Sequence, residues 1–324
     1  MKAALVKQYG APDSIVIEDV PEPTPAPGEV KIRLKACGVN FPDVLMVAGK
    51  YQMQPAMPFS PGAEMAGDIV ELGEGVDSLT IGTPVLCMTG FGGMAEYICV
   101  PAHLAIPIPP GIDYKTASAV MLTYGTSYHA LKQRARLQKD ETLLVLGAAG
   151  GVGLAACELG NKMGARVIAA ASSEDKLELA RQHGAHDLVN YRDDDLKDSV
   201  KALTDNRGVD VIYDPVGGDL FDACLRLMAW NGRLLVIGFA SGTIPKAPAN
   251  LPLLKGSSIV GVFWGAFTAK EPQANQENIA ELTGWFLDGS LKPHIGHVFS
   301  LEQTADALMV LAGREAMGKV VIEI

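Results

Sequence analysis

Residues 142–153 constrain this chain more than any other stretch. Thr142-Leu143-Leu144-Val145-Leu146 is a short apolar run, it breaks at Gly147-Ala148-Ala149-Gly150-Gly151-Val152-Gly153, and a helical pattern continues from about Val152 to Met163. A buried strand, a glycine turn and a helix start in that order let backbone N–H groups approach a pyrophosphate where the helix dipole favours an anion. A glycine spacing alone is a weak signal, since any α/β protein has tight turns. Its context here is specific. Strands at Arg166–Ala170, Asp187–Asn190, Val209–Tyr213, Arg233–Ile237 and Ser257–Val262 alternate with helices at Ser173–His183, Asp194–Leu203 and Leu220–Trp230. Ser172 and Asp175 are spaced as a capping box for the helix that begins at Ser173. Six strands alternating with helices predict a doubly wound parallel sheet, the Rossmann arrangement for a dinucleotide.

The end of the second strand selects the dinucleotide. NAD-binding units carry an Asp or Glu about 20 residues past the glycine turn to hold the ribose 2′-OH. This chain has Ala169-Ala170-Ala171-Ser172-Ser173 there, followed by Lys176. Two hydroxyls and an ammonium suit a 2′-phosphate, so NADPH is the expected cofactor. Glu174 and Asp175 read as favourable charge in a first helical turn.

Before that region the chain is β-rich. Glu29 to Lys35 alternates Val30, Ile32 and Leu34 with Lys31, Arg33 and Lys35, and Gly67–Glu71 and Thr83–Met88 read as further strands between glycine turns. Residues 116–134 are helical in character. Beyond Phe263 come a helix (Asn278–Leu287), a strand near His297–Phe299, a helix (Leu301–Leu311) and a strand (Lys319–Ile324). That tail is expected to pack back on the first third.

The formal charge of −10 argues against nucleic acid or an anionic membrane surface as partner. The longest uncharged stretch is short of the roughly 20 apolar residues of a membrane span. Five scattered cysteines without a C-x-x-C pair suggest reduced thiols, and the start of the chain lacks a signal-peptide core, so a cytoplasmic protein is expected.

Six segments carry a family resemblance: Gly38-Val39-Asn40-Phe41-Pro42-Asp43, Pro61-Gly62-Ala63-Glu64-Met65-Ala66-Gly67, Gly93-Met94-Ala95-Glu96-Tyr97, Leu122-Thr123-Tyr124-Gly125-Thr126, the glycine motif, and Asp214-Pro215-Val216-Gly217-Gly218. With these the chain resembles the medium-chain dehydrogenase/reductase superfamily, and within it the zinc-independent NADPH:quinone oxidoreductases, the zeta-crystallin-like branch. The resemblance implies a GroES-like catalytic domain from residues 1–122 and 264–324, with a Rossmann domain at 123–263 between them. It also implies a homodimer.

The resemblance further implies cofactor contacts at Asn40, Thr126, Gly150, Gly151, Val152, Ser172, Ser173, Lys176, Tyr191, Val216, Phe239, Ala240, Phe263, Trp264 and Arg314. On residue type alone Tyr191 and the apolar members read as core, and Arg314 as a solvated surface residue. Zinc dehydrogenases of the superfamily place a Cys ligand where Asn40 stands and a His ligand where Ala63 stands. Neither residue can replace them, so no metal is expected.

Lacking a Lewis acid, the site suits an acceptor that is already polarised, a quinone or an α,β-unsaturated carbonyl. Asn40 is the expected donor to the developing oxyanion; as a lone asparagine it reads equally as a turn residue. Tyr51 falls where related enoyl reductases carry a proton-donating tyrosine, although Leu45 stands where several quinone oxidoreductases carry another. Asp43 and Glu64 read as structural, and His129 as a helix histidine near the cofactor by family position. The expected activity is NADPH-dependent quinone or enone reduction. The alternatives are an enoyl-thioester (enoyl-CoA) reductase and a crystallin-like protein that holds NADPH without turnover.

Overall fold

The alternation at Val30, Ile32 and Leu34 does make a strand, and it runs on to Val39 because Ala36, Cys37, Gly38 and Val39 are buried as well. In chain order the computed structural model, which describes Met1–Ile324, begins with β1 (Lys2–Leu5), β2 (Val16–Asp19), β3 (Glu29–Val39) and α1 (Phe41–Val47). β4 (Glu64–Leu72), β5 (Pro84–Met88), β6 (Tyr97–Pro101), β7 (Ile106–Pro107) and α2 (Tyr114–His129) follow. The alternating segment comprises β8 (Thr142–Leu146), α3 (Gly151–Lys162), β9 (Arg166–Ala171), α4 (Glu174–Gln182), β10 (Asp187–Asn190) and α5 (Leu196–Leu203). It continues through β11 (Val209–Asp214), α6 (Leu220–Leu227), β12 (Met228–Val236), α7 (Asn250–Lys255) and β13 (Ser258–Gly261). The chain then forms α8 (Trp264–Lys270), α9 (Pro272–Leu287), β14 (Ile295–Ser300), α10 (Thr304–Ala312) and β15 (Lys319–Glu323).

These elements divide into two units, residues 1–122 with 295–324 and residues 123–294. In the first, a seven-stranded sheet has the order β14-β15-β3-β4-β5-β7, with β6 also on β3. β3 is its spine. Its first half pairs with β6 and its second half with β15, both antiparallel, while β4 runs along the other side. Ile32, Leu34, Met65, Ile69, Val85 and Met94 build the core beneath it. Gly38 has no room for a side chain, since a Cβ there would lie 2.0 Å from the Ser118 carbonyl oxygen.

The second unit holds a six-stranded, all-parallel sheet of order β10-β9-β8-β11-β12-β13, in which the order reverses between β8 and β11. Thr142–Leu146 and Val167–Ala171 are wholly buried, which is why these strands read as continuous apolar runs. The predicted doubly wound sheet is this one.

Three features differ from the sequence reading. The segment 264–294, expected with the first unit, packs in the second. The reason is aromatic: Trp264 lies on Gly125, Phe286 meets Tyr124 edge-on at 4.9 Å, and Trp285 meets Tyr128 at 5.3 Å. α6 stops at Leu227 rather than Trp230, where the Lys255 ammonium takes the carbonyls of Arg226 and Met228 at 2.7 Å each. The capping box of Ser172 with Asp175 is not formed. Backbone stays extended through Ser173, which becomes the N-cap at φ −163°, and Ser172 is left outside the helix.

No helix is long and apolar enough to cross a membrane. All five cysteines are free thiols.

Candidate active site

The second unit gathers its candidate residues at one edge of the sheet. Every strand there is parallel, so the residues after each strand share the carboxyl edge. β8 leads to the glycine turn, β9 to Ser172 and Ser173, β10 to Tyr191, β11 to Val216, β12 to Phe239 and Ala240, and β13 to Phe263 and Trp264. Arg314, Asn40 and Tyr51 belong to the first unit.

The glycine turn is a cradle. Gly147 has φ +57°, and a Cβ on Gly153 would sit 2.3 Å from the Gly147 carbonyl oxygen, so the helix can start this close to the strand only with glycine. Gly150 is the N-cap and offers no side-chain oxygen to the first-turn N–H groups of α3. Those groups have no intrahelical partner and face outward, which fits the pyrophosphate of a dinucleotide. Across the reversal of strand order, Val216 reaches to 3.2 Å from where a Gly147 Cβ would be. The Asp214 carboxylate sets that second turn by accepting the N–H groups of Val216 and Gly217, both at 2.8 Å.

At the end of β9, Ser172, Ser173 and Lys176 are half-buried, and the Tyr191 N–H donates to the Ala171 carbonyl at 3.1 Å. The Tyr191 backbone is thereby tied to the end of β9, from which Ser172 and Ser173 follow, while its side chain packs on the core of the second unit. Glu174, which follows Ser173 in the chain, is already engaged, since Asn190 Nδ2 donates to its Oε1 at 3.1 Å. Phe239 packs on Gly217, and the Ala240 N–H donates to the Pro215 carbonyl at 3.0 Å. Phe263 is exposed. Trp264 is buried, with Nε1 donating to Asn275 Oδ1 at 3.1 Å.

Thr126 is half-buried on α2, and its neighbour Ser127 donates to the Val152 carbonyl at 3.1 Å while sharing a 2.8 Å bond with the Tyr213 hydroxyl. Ser127 and Tyr213 pin the start of α3, and nothing in their sequence surroundings marks them. His129 is buried and stacked on Phe267 at 4.0 Å, and burial lowers its imidazole below the ordinary value.

In the first unit four polar side chains meet in the core. Asn40 (5% exposed) precedes α1. Its Nδ2 donates to Gly38 O at 3.3 Å and to Glu64 Oε2 at 3.2 Å, while its Oδ1 accepts from Lys319 Nζ at 2.6 Å. Lys319 Nζ also reaches Glu64 Oε2 at 3.4 Å, and Glu64 Oε1 accepts the Leu122 N–H at 3.1 Å. Asp43 accepts the N–H groups of Asn40 and Gly62, and burial raises its carboxyl to about 6. Asp43 and Glu64 thus bond backbone, as their positions suggested.

Lys319 is the member that sequence reasoning passed over. Its one signal was a lysine after Gly318 leading into the apolar run Val320-Val321-Ile322. Tyr51 is half-buried, packs against the same core and keeps its hydroxyl clear of any bond within the chain. Burial, with a smaller contribution from the Asp43 charge, raises its phenol. No three His, Cys, Asp or Glu side chains converge as a metal site.

A dinucleotide cradle on a doubly wound sheet, in a chain whose other unit holds a buried amide–carboxylate–ammonium cluster, defines an oxidoreductase that binds a nicotinamide cofactor. Residues 26–110 match the family described as Alcohol dehydrogenase GroES-like domain, and residues 151–282 the one described as Zinc-binding dehydrogenase. The chain is 41% identical to Quinone oxidoreductase-like protein 2 homolog of Nematostella vectensis over 99% of its own length and 88% of that protein. It is 32% identical to quinone oxidoreductase of Homo sapiens, covering 99% and 97% of the two chains. The structure of Escherichia coli quinone oxidoreductase complexed with NADPH matches with a TM-score of 0.93 at 26% identity, over all of both chains. The chain belongs to the medium-chain dehydrogenase/reductase superfamily and, within it, to the quinone oxidoreductase family.

Proposed function

We propose that this protein is a zinc-independent, NADPH-dependent reductase of quinones and α,β-unsaturated carbonyls. The observation that carries the reading is the Asn40 amide. It is gripped by its oxygen at 2.6 Å, whereas its two nitrogen bonds, at 3.2 and 3.3 Å, exceed the usual 2.9–3.0 Å. The N–H groups are the exchangeable side, and an acceptor oxygen that gains charge competes for one of them. The Tyr51 hydroxyl is the proton donor to carbon when a C=C bond is reduced. Bound NADPH supplies a hydrogen with two electrons to the electron-poor carbon.

NADPH rather than NADH is favoured by Ser172, Ser173, Lys176 and Tyr191 around the end of β9, with Glu174 turned to Asn190. Gly150, Gly151 and Val152 hold the pyrophosphate; Thr126, Val216, Phe239, Ala240, Phe263 and Trp264 serve the nicotinamide half, and Arg314 a polar contact. The ground for zinc independence is the residue set, a carboxamide at Asn40 and a methyl at Ala63.

A homodimer is supported by β13, an edge strand paired only with β12, next to exposed Trp230 (72%), Leu253 (79%) and Phe263 (63%).

The test is NADPH oxidation by purified protein, with and without EDTA, against benzoquinones, enones and enoyl-CoAs. Quinone or enone turnover that survives chelation is expected. Turnover confined to enoyl-CoA assigns an enoyl-thioester reductase. NADPH binding with no turnover on any acceptor assigns a non-catalytic, crystallin-like role.

A further inference from the structure

The Lys319 side chain is 5% exposed, and the three protons of its ammonium meet three acceptors: Asn40 Oδ1 at 2.6 Å, Val39 O at 3.3 Å and Glu64 Oε2 at 3.4 Å. The order of these distances is informative. A lysine placed to neutralise Glu64 would lie closest to the carboxylate, where the attraction is strongest. Here the shortest bond goes to a neutral amide.

That bond removes a choice. A carboxamide can face its surroundings two ways. The flipped form would set its NH2 group against the ammonium and its oxygen against the Glu64 carboxylate, pairing like with like on both sides. Lys319 reaches this place because β15 joins β3 with Val320 opposite Val39, which sets Lys319 beside Asn40.

We propose that Lys319 is a positioning residue. It fixes the Asn40 carboxamide with its nitrogen as donor and, by drawing charge onto Oδ1, strengthens that donor for the acceptor oxygen. The proposal rests on the donor role given to Asn40 above. Lys319 touches neither acceptor nor cofactor in this role.

Lys319→Met alone would leave Glu64 buried without its cation, so the informative background is the full-length double variant E64Q/K319M, which removes both charges together. It is compared with wild type, each with and without Asn40→Ala. The readouts are kcat and KM for 1,4-benzoquinone at saturating NADPH, and the NADPH Kd by fluorescence. We expect E64Q/K319M to lower kcat about 10-fold or more, with NADPH Kd and quinone KM within about 2-fold, because the loss falls on a contact made in the transition state. Asn40→Ala should lower kcat about 10–100-fold in wild type and under about 3-fold in the double variant, since the two residues then act as one unit. An equal cost of Asn40→Ala in both backgrounds, or an unchanged kcat in E64Q/K319M, overturns the proposal. If Asn40→Ala costs nothing in wild type, the donor role of Asn40 itself is wrong and the positioning role falls with it.

Discussion

One carboxylate oxygen of Asp43 accepts the backbone N–H of Asn40 at 2.8 Å, while the other accepts that of Gly62 at 3.1 Å. A single fully buried side chain therefore ties the residue that opens α1 to the loop that leads into β4. The cost of this arrangement is a carboxyl that burial raises from 3.8 to about 6.

The fold consequently prefers Asp43 protonated. A folded-state value above the unfolded one gives stability that is present below about pH 4 and is lost as the pH rises through about 6. The change corresponds to something on the order of 3 kcal/mol. Asp43→Asn cannot titrate. Urea unfolding of both proteins between pH 4.5 and 7.5 should show wild type losing ground to the variant as the pH rises. A gap that is constant across this range would contradict the assignment.

Lys176 should matter for one coenzyme and not the other. Lys176 belongs to the first turn of α4, just past Ser172 and Ser173, and the proposed function assigns it to the 2′-phosphate. A lost charge-assisted bond is worth about 1.5–3 kcal/mol, so Lys176→Ala should weaken NADPH about 10-fold or more. NADH affinity should barely move. Fluorescence titration of both coenzymes decides it, and a parallel loss of the two would mean that the variant damaged the pyrophosphate site instead.

Tyr51 is expected to separate two kinds of acceptor. Reduction of a C=C bond delivers a proton to carbon, whereas a reduced quinone takes its protons on oxygen, where water suffices. Tyr51→Phe should therefore slow enone reduction about 10²-fold and change quinone reduction less than about 3-fold. Rates that match wild type on both acceptors would make Tyr51 only a wall.

The second unit was legible because its strands are buried on both faces and its turns need glycine, so sequence and structure carry the same punctuation. Its outer edge was not. Phe286 and Trp285 find Tyr124 and Tyr128 more than 150 residues away, and nothing local to α9 records that contact. α1 is only seven residues long, too short for a hydrophobic period, although Asn40, Pro42 and Asp43 are the residues that begin it. The candidate site was readable in its types and not in its wiring. Asn40 could be singled out from the chain, but its amide orientation depends on a lysine 279 residues further on. A lysine at the start of a strand usually means solvent. The same limit applied at Ser127 and Tyr213, whose shared bond spans 86 residues.

The place of β15, between β14 and the second half of β3, also sets a timetable. Lys319 and Val39 are separated by 280 residues, which synthesis at about 5–20 residues per second turns into roughly 15–55 s. Throughout that interval the second half of β3 has one free edge, and Glu64 and Asn40 wait for their cation. The residues of the second unit emerge meanwhile. A nascent chain thus carries an open β-edge until β15 is made, and that edge is where a chaperone or a neighbouring nascent chain would first take hold.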